Sequence, residues 1–297
     1  MTMSRAQPRL VNLGQQTKTK TNSLVAPVGQ NWRGTVSKKP QNYRVTAVIP
    51  HLNTPDILEV CIDLLRNQSE KPYILAIDTG STEDYTDNLE LLRGEDCEIH
   101  YLKSHSWMHP SEPVAVAQDL ALLLCKTPFM FCTHADCFLT SRTLLEDWLG
   151  MMDEISVLGY QISPRPYKGW ENEFGHTALM FNVLDIKTKG INWDMQAYCR
   201  SKGPSTNFGP NDPDTESNFN RTLQLSGLKY KFIGDGELNY VRNLNEHFDH
   251  PRSYASSKIY NKQHFKKIGP DMHFALREAR QRIFEWKCLN ENRENSL

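Results

Sequence analysis

Strand-length apolar runs that stop abruptly in polar groups constrain this chain more than any other feature. Phe129 to Phe138 reads Phe-Met-Phe-Cys-Thr-His-Ala-Asp-Cys-Phe, with the carboxylate of Asp136 where a strand should end. Tyr73 to Ile77 empties into Asp78-Thr79-Gly80-Ser81-Thr82, and Val45 to Ile49 into Pro50-His51-Leu52-Asn53. Continuous apolar runs belong to strands buried on both faces, and open α/β sheets bind ligands at the carboxyl ends of such strands. The three tips therefore predict a site as well as a core.

The elements between these tips support that reading. Pro50 should stop the ladder of the first strand. Thr54 and Pro55 then form a helix start, as cap and first helical residue. Ile57, Leu58, Cys61, Leu64 and Leu65 follow at helical spacing, and Asn67-Gln68-Ser69 closes the helix. This βαβ unit makes the first two strands parallel neighbours. A helix over 83–92, a strand over 98–102, a loop carrying His105, Trp107 and His109, and a helix over 114–124 continue the alternation. Past Asp136, a helix from 141 or 142 to Met152 turns Leu144, Leu145, Trp148 and Leu149 inward. Such alternation over 43–152 argues for an α/β fold with a parallel sheet between helices.

The second half reads differently. A strand over 155–162 is followed by an aromatic-rich loop, 163–174, and by a strand over 177–183 that returns across the sheet. Residues 200–215 carry too much Pro and Gly for regular structure. A helix over 215–226 ends at Gly227, a last strand covers 228–233, and one turn over 245–251 gathers His247, Asp249 and His250. Met272, Ala275, Ala279, Ile283 and Trp286 mark the inner face of a helix over 271–288. The expected organisation is a basic, flexible arm (1–42), one domain (43–250) and a C-terminal helical extension (251–297).

Charge and cysteine content narrow the classes. The formal net charge of −1 over 297 residues selects neither nucleic acid nor an acidic partner. It hides a basic start, because residues 1–43 hold Arg5, Arg9, Lys18, Lys20, Arg33, Lys38 and Lys39 and no acidic residue. That arm is a candidate polyanion contact. Seven irregularly spaced cysteines make no disulfide framework. With no apolar run of membrane-spanning length, the expectation is a cytoplasmic protein without a transmembrane segment.

Several residues carry possible chemistry. Asp136 at a buried strand end can ligate Mg²⁺ or Mn²⁺, or simply cap the next turn. His134, two residues earlier, shares its face if the segment is extended, and His247 or His250 can add an imidazole. A zinc set of Cys132, His134 and Cys137 fits no familiar spacing. Asp78 with Gly80 and Ser81 offers an acceptor for a base or ribose and a turn able to approach phosphate, or a helix-capping turn. No phosphate-loop or dinucleotide fingerprint is present. Glu216, preceded by Asp212 and Asp214, can act as a general base or as favourable charge at a helix start.

In this order the motifs resemble the GT-A fold glycosyltransferases, in particular the inverting, family-2-like type that uses nucleotide sugars. The matching segments are Val48-Ile49-Pro50-His51-Leu52-Asn53, Asp78-Thr79-Gly80-Ser81-Thr82-Glu83, His134-Ala135-Asp136, and Thr215-Glu216 before Leu225-Ser226-Gly227-Leu228-Lys229. The resemblance covers roughly residues 43–250. It implies a Rossmann-like, mostly parallel sheet flanked by helices and a nucleotide-diphospho-sugar donor over the strand ends. Pro50, Asn53, Asp78, Gly80, Ser81 and His134 would line the donor. Asp136, with His247 or His250, would hold Mn²⁺ or Mg²⁺. Glu216 would be the catalytic base. His134 stands where the family has the first Asp of its metal motif, and Thr215 replaces the Glu before the base, which leaves Asp214 as an alternative.

The implied activity is metal-assisted glycosyl transfer to a hydroxyl of a glycan, lipid, protein or modified nucleobase. Two rival readings are a nucleotidyltransferase of related fold and a non-catalytic carbohydrate- or nucleic-acid-binding protein on a degenerate core. The first usually needs a Gly-rich loop with a basic residue after the first strand, and residues 51–56 have neither.

Overall fold

A computed structural model describes residues 32–33, 42–81, 83–102, 111–161, 173–202, 214–234, 243–251 and 262–294. Outside the described residues lie most of the basic arm and the loop with His105, Trp107 and His109. So do residues 162–172 and the Gly/Pro-rich run 203–213 with Asp212.

Strand β2 (Val45–His51) shows why the chain forms a sheet with two covered faces. Its side chains alternate, so that Val45, Ala47 and Ile49 enter one core cluster and Val48 the other. Helix α1 (Pro55–Arg66) crosses to β3 (Tyr73–Asp78), which pairs with β2 in parallel from Thr46↔Tyr73 to His51↔Asp78. Helix α2 (Glu83–Glu90) leads to β4 (Cys97–Leu102), and α3 (Glu112–Leu124) leads to β5 (Phe129–Thr133). Strands β4, β3, β2 and β5 are consecutive and parallel.

Beyond β5 the sheet changes sense. Strand β8 (Phe174–Asn182) runs antiparallel to both β5 and β7 (Val157–Gln161), and β9 (Tyr230–Phe232) closes that edge parallel to β7. At the other edge β1 (Trp32–Arg33) pairs antiparallel with β4, so this part of the basic arm is docked. The mostly parallel sheet flanked by helices is as expected from the sequence, including the strand that returns across it.

Four local expectations need correcting. Pro50 does not end β2, which continues to His51. The carbonyl of His51 accepts from Thr79 on the β3 side. Successive residues of a parallel strand bond to opposite neighbours, so Pro50 faces β5, where pairing has already stopped at Val48↔Cys132. The missing N–H costs nothing there. Residues 134–137 form a turn, with the Cys137 amide donating to the His134 carbonyl at 3.1 Å, rather than extended chain. Residues 245–251 are not one turn either: β10 (Asn243–Leu244) and β11 (Phe248–His250) pair antiparallel, and β11 also pairs with β6 (Phe138–Leu139). Finally, two helices went unforeseen, α5 (Val183–Lys189), capped by the Asn182 side chain and stopped at Gly190 with φ 65°, and α6 (Met195–Lys202).

One face of the sheet carries α1, α4 (Leu144–Met151) and α8 (Lys262–Glu294); the other carries α3, α5 and α7 (Ser217–Ser226). Met272, Ala275, Ala279, Ile283 and Trp286 of α8 are buried in the same cluster as α1 and α4. The C-terminal helix thus forms part of the wall of the core. It begins earlier than expected, continuing through Gly269-Pro270. All seven cysteines are free, and five are buried. Among the described residues no helix is long and apolar enough to cross a membrane.

Candidate functional site

The tips of β2 and β3 are tied into one unit. Asp78 Oδ1 accepts from the amides of Gly80 (2.9 Å) and Ser81 (2.8 Å), and Ser81 Oγ accepts from the Asn53 amide at 2.7 Å. The Thr79 amide and hydroxyl both donate to the His51 carbonyl, at 2.8 and 2.9 Å. Gly80 at φ 114° and Asn53 at φ 53° take the left-handed backbone that these turns need. Asp78 therefore does close the turn with one oxygen.

Its other oxygen, Oδ2, lies 3.9 Å from His51 Nε2, and neither atom has a hydrogen-bond partner among the described residues. His51 Nδ1 is 3.3 Å from the Thr54 hydroxyl, which is directed there rather than capping α1. Burial raises the Asp78 pKa against the hydrogen bonds from Ser81 and Gly80, and burial lowers that of His51 to about 3. A carboxylate 3.9 Å away is beyond hydrogen-bond range and itself resists charging, so burial decides the state of the ring. His51 is neutral at neutral pH.

A pH effect on stability follows. Between pH 6.5 and about 3 the unfolded chain takes up a proton on His51 that the folded chain refuses. The stabilisation is complete above pH 6.5 and falls with pH, by about 1.4 kcal/mol per unit at its steepest. We expect His51→Gln to flatten this part of the profile, measured as the urea midpoint at successive pH values from 7 to 5. Identical pH profiles would rule the account out.

The turn after β5 supplies the second group of residues. His134, Asp136 and His250 place one potential ligand atom each within 4.8 Å of one another. His250 Nε2 is 3.4 Å from Asp136 Oδ1, and the rings of His134 and His250 meet edge to face with centroids 5.8 Å apart. Burial pushes the Asp136 carboxyl up, but the charge and hydrogen bond of His250, with His134 beside it, outweigh this and hold it down at about 2. The register explains how His250 arrives. β11 pairs with β6, directly after Asp136, through Phe248↔Leu139 and Asp249↔Phe138.

His247 is not brought into this cluster. It sits in the bend between β10 and β11, where the Asn245 side chain accepts from its amide. Its Nδ1 shares a hydrogen bond with the Tyr160 hydroxyl, and its ring packs on Trp148 and Tyr160. His134, expected along the donor, joins the cluster instead. Cys132 is not part of it, since its thiol donates to Gln118 Oε1 at 3.0 Å.

Glu216 and Asp214 belong to the start of α7. Asp214 Oδ1 accepts from the Ser111 hydroxyl (2.6 Å) and the Thr215 amide (2.8 Å), and the Thr215 hydroxyl donates to the Ser111 carbonyl. Asp214 thereby fastens α7 to the start of α3. Glu216 is buried at the N-cap position without a side-chain capping bond. α3 runs back from the carboxyl end of the sheet, so Ser111 marks that end. The Asn220 side chain also grips the backbone of Phe174, where β8 begins beside the end of β5. Asp78, Asp136 and Glu216 therefore lie toward the carboxyl end of the parallel strands. Sequence reasoning missed Ser111 and Tyr160 here, and it read Thr54 as the cap of α1 rather than as the partner of His51. His51, at a strand tip after Pro50, and Thr54, before the helix-starting Pro55, stood where a signal could be read; Ser111 and Tyr160 did not.

No protein-family model and no curated protein matches this sequence. Solved structures resemble it in fold. The mannosyltransferase PcManGT from Pyrobaculum calidifontis, in complex with GDP-Man and Mn²⁺, is 14% identical at TM-score 0.45 over 89% of this chain and 79% of its own. S. aureus TarS is 15% identical at TM-score 0.45; the match takes in 65% of this chain but only 36% of the TarS chain. The galactosyltransferase LgtC, in complex with donor and acceptor sugar analogues, is 12% identical at TM-score 0.45 over 62% of this chain and 72% of its own. At such values the likeness carries neither activity nor substrate across. The resemblance to the GT-A glycosyltransferases therefore rests on the strand-tip motifs of the sequence.

Proposed function

We propose that this protein transfers a sugar from a nucleotide-diphospho-sugar to an acceptor hydroxyl, assisted by a divalent cation and a carboxylate base. The observation that carries the reading is the His134–Asp136–His250 cluster, set toward the same carboxyl end of the parallel strands as the joined β2 and β3 tips and the start of α7. Strand ends of an open α/β sheet are where nucleotides bind.

The cluster suits a cation. It offers two imidazoles and one carboxylate held ionised to low pH, with one potential ligand atom from each within 4.8 Å of the others. When bound, the ion would neutralise the charge growing on the departing diphosphate. The turn at Gly80 and Ser81 and the Pro50–Asn53 tip would seat the nucleoside, with Asp78 holding their shape. Glu216 would take the proton of the acceptor hydroxyl as its oxygen bonds to the anomeric carbon and the bond from that carbon to the diphosphate breaks. Asp214, already committed to Ser111 and Thr215, fits a positioning role better than that of the base.

The test is release of nucleoside diphosphate from a mixture of nucleotide sugars with Mn²⁺ and candidate acceptors. Release is expected from the native protein and to fall by about 10²–10³-fold in Asp136→Ala, the usual cost of deleting a charge-stabilising group. Release indifferent to that change would remove the site assignment. Transfer of the nucleotidyl group, or binding without turnover, would favour the rival readings.

A further inference from the structure

The composition of the cluster goes further than the presence of an ion. Its donors are two nitrogens and one oxygen, because a histidine, His134, stands where a second carboxylate would make the site hard. Mg²⁺ and Ca²⁺ demand oxygen, and Mg²⁺ gives up its water reluctantly. Imidazole favours the later first-row ions, whose affinities rise from Mn²⁺ through Co²⁺. The setting sharpens this preference. The side chains of Asp136 and His250 are only 8% and 7% exposed, leaving little room for the water shell that Mg²⁺ keeps. His134 and Asp136 sit on one short hydrogen-bonded turn between β5 and β6, and His250 on a strand paired to β6. The donors cannot easily rearrange to suit a different ion.

We infer that this site selects imidazole-binding transition ions, Co²⁺ and Zn²⁺ ahead of Mn²⁺, and discriminates against Mg²⁺ and Ca²⁺, with His134 as the residue that sets the preference. The inference rests on the metal site of the proposed function but not on sugar transfer, since the ion is read directly. Three protein ligands leave the fourth position of a tetrahedral ion open to an oxygen of a bound ligand, the arrangement of catalytic rather than structural sites.

The full chain is titrated by calorimetry with Co²⁺, Zn²⁺, Mn²⁺ and Mg²⁺ alone, and the visible absorption of bound Co²⁺ reports its coordination. Co²⁺ is expected to bind at least about a hundredfold more tightly than Mg²⁺, with a visible band that disappears in Asp136→Asn. His134→Asp should weaken Co²⁺ at least about tenfold and narrow the Co²⁺/Mg²⁺ gap by as much. His273→Ala, an exposed histidine on α8, controls for surface binding and should change nothing. Circular dichroism melts establish that each variant is folded, and the native titration stands by itself if one is not. Mg²⁺ within tenfold of Co²⁺ in the native chain, or a ratio unmoved in folded His134→Asp, overturns the inference. Product release in the presence of chelator would instead refute the metal-assisted mechanism, whichever ion the site prefers.

Discussion

Glu216→Gln is expected to lower turnover by about 10²–10⁴-fold, the range that a positioned general base supplies. The substitution keeps size and shape and removes only the ability to take a proton. Glu216 is buried at the N-cap of α7, whose start is pinned by Asp214, Thr215 and Ser217 to one another and to Ser111. The helix should survive the change, so the melting temperature and donor affinity are expected to stay close to native. A variant with native turnover, or one that loses donor binding and rate together, would move the base elsewhere. Asp214→Asn provides the contrast: loosening the tie to Ser111 should lower stability along with rate.

The largest effect on stability is expected at Trp148, where Ala should cost about 3–5 kcal/mol. Its ring is fully buried, edge-on to Phe131 with centroids 5.7 Å apart, and in contact with Tyr160 and His247. The cavity would open between the sheet and the segment that presents His250. Cation affinity should therefore weaken too, although Trp148 touches no ligand atom of the cluster in these contacts. Trp148→Phe is expected to be much milder. It fills most of the space and removes a buried indole N–H that has no acceptor among the described residues. Urea unfolding of the two variants checks this, and a loss below about 1 kcal/mol in the Ala variant would contradict it.

The parallel half of the sheet was legible because period and polarity agreed there. Val45 to Ile49, Tyr73 to Ile77 and Phe129 to Thr133 are apolar on both faces, and α1 between the first two has its apolar residues at helical spacing. α5 and α6 were missed because they lie next to strand-like or Gly/Pro-rich sequence. The Asn182 cap that starts α5 directly follows β8 without a turn signal. At the site, the sequence offers His247 and His250 as equal candidates to join Asp136, and only His250 meets it. The bend before β11 separates the two histidines, since it turns His247 to the Tyr160 hydroxyl while His250 lies on the strand. Extended chain through Asp136 was expected to put His134 on the Asp136 face; a turn forms there instead, and the His134 ring meets that of His250. Motif order gives the end of the sheet at which residues gather, but not which atoms meet there.

The pairing of β11 with β6 has a consequence for how the protein matures. During synthesis the chain completes its parallel strands long before His250 leaves the ribosome, so a nascent molecule has its scaffold before it has the third member of the His134–Asp136–His250 cluster. A cation captured afterwards would fasten the late segment to the early one, as a clasp closes a finished band. Proteases should then find residues 243–251 the first vulnerable stretch of the described chain once the ion is withdrawn.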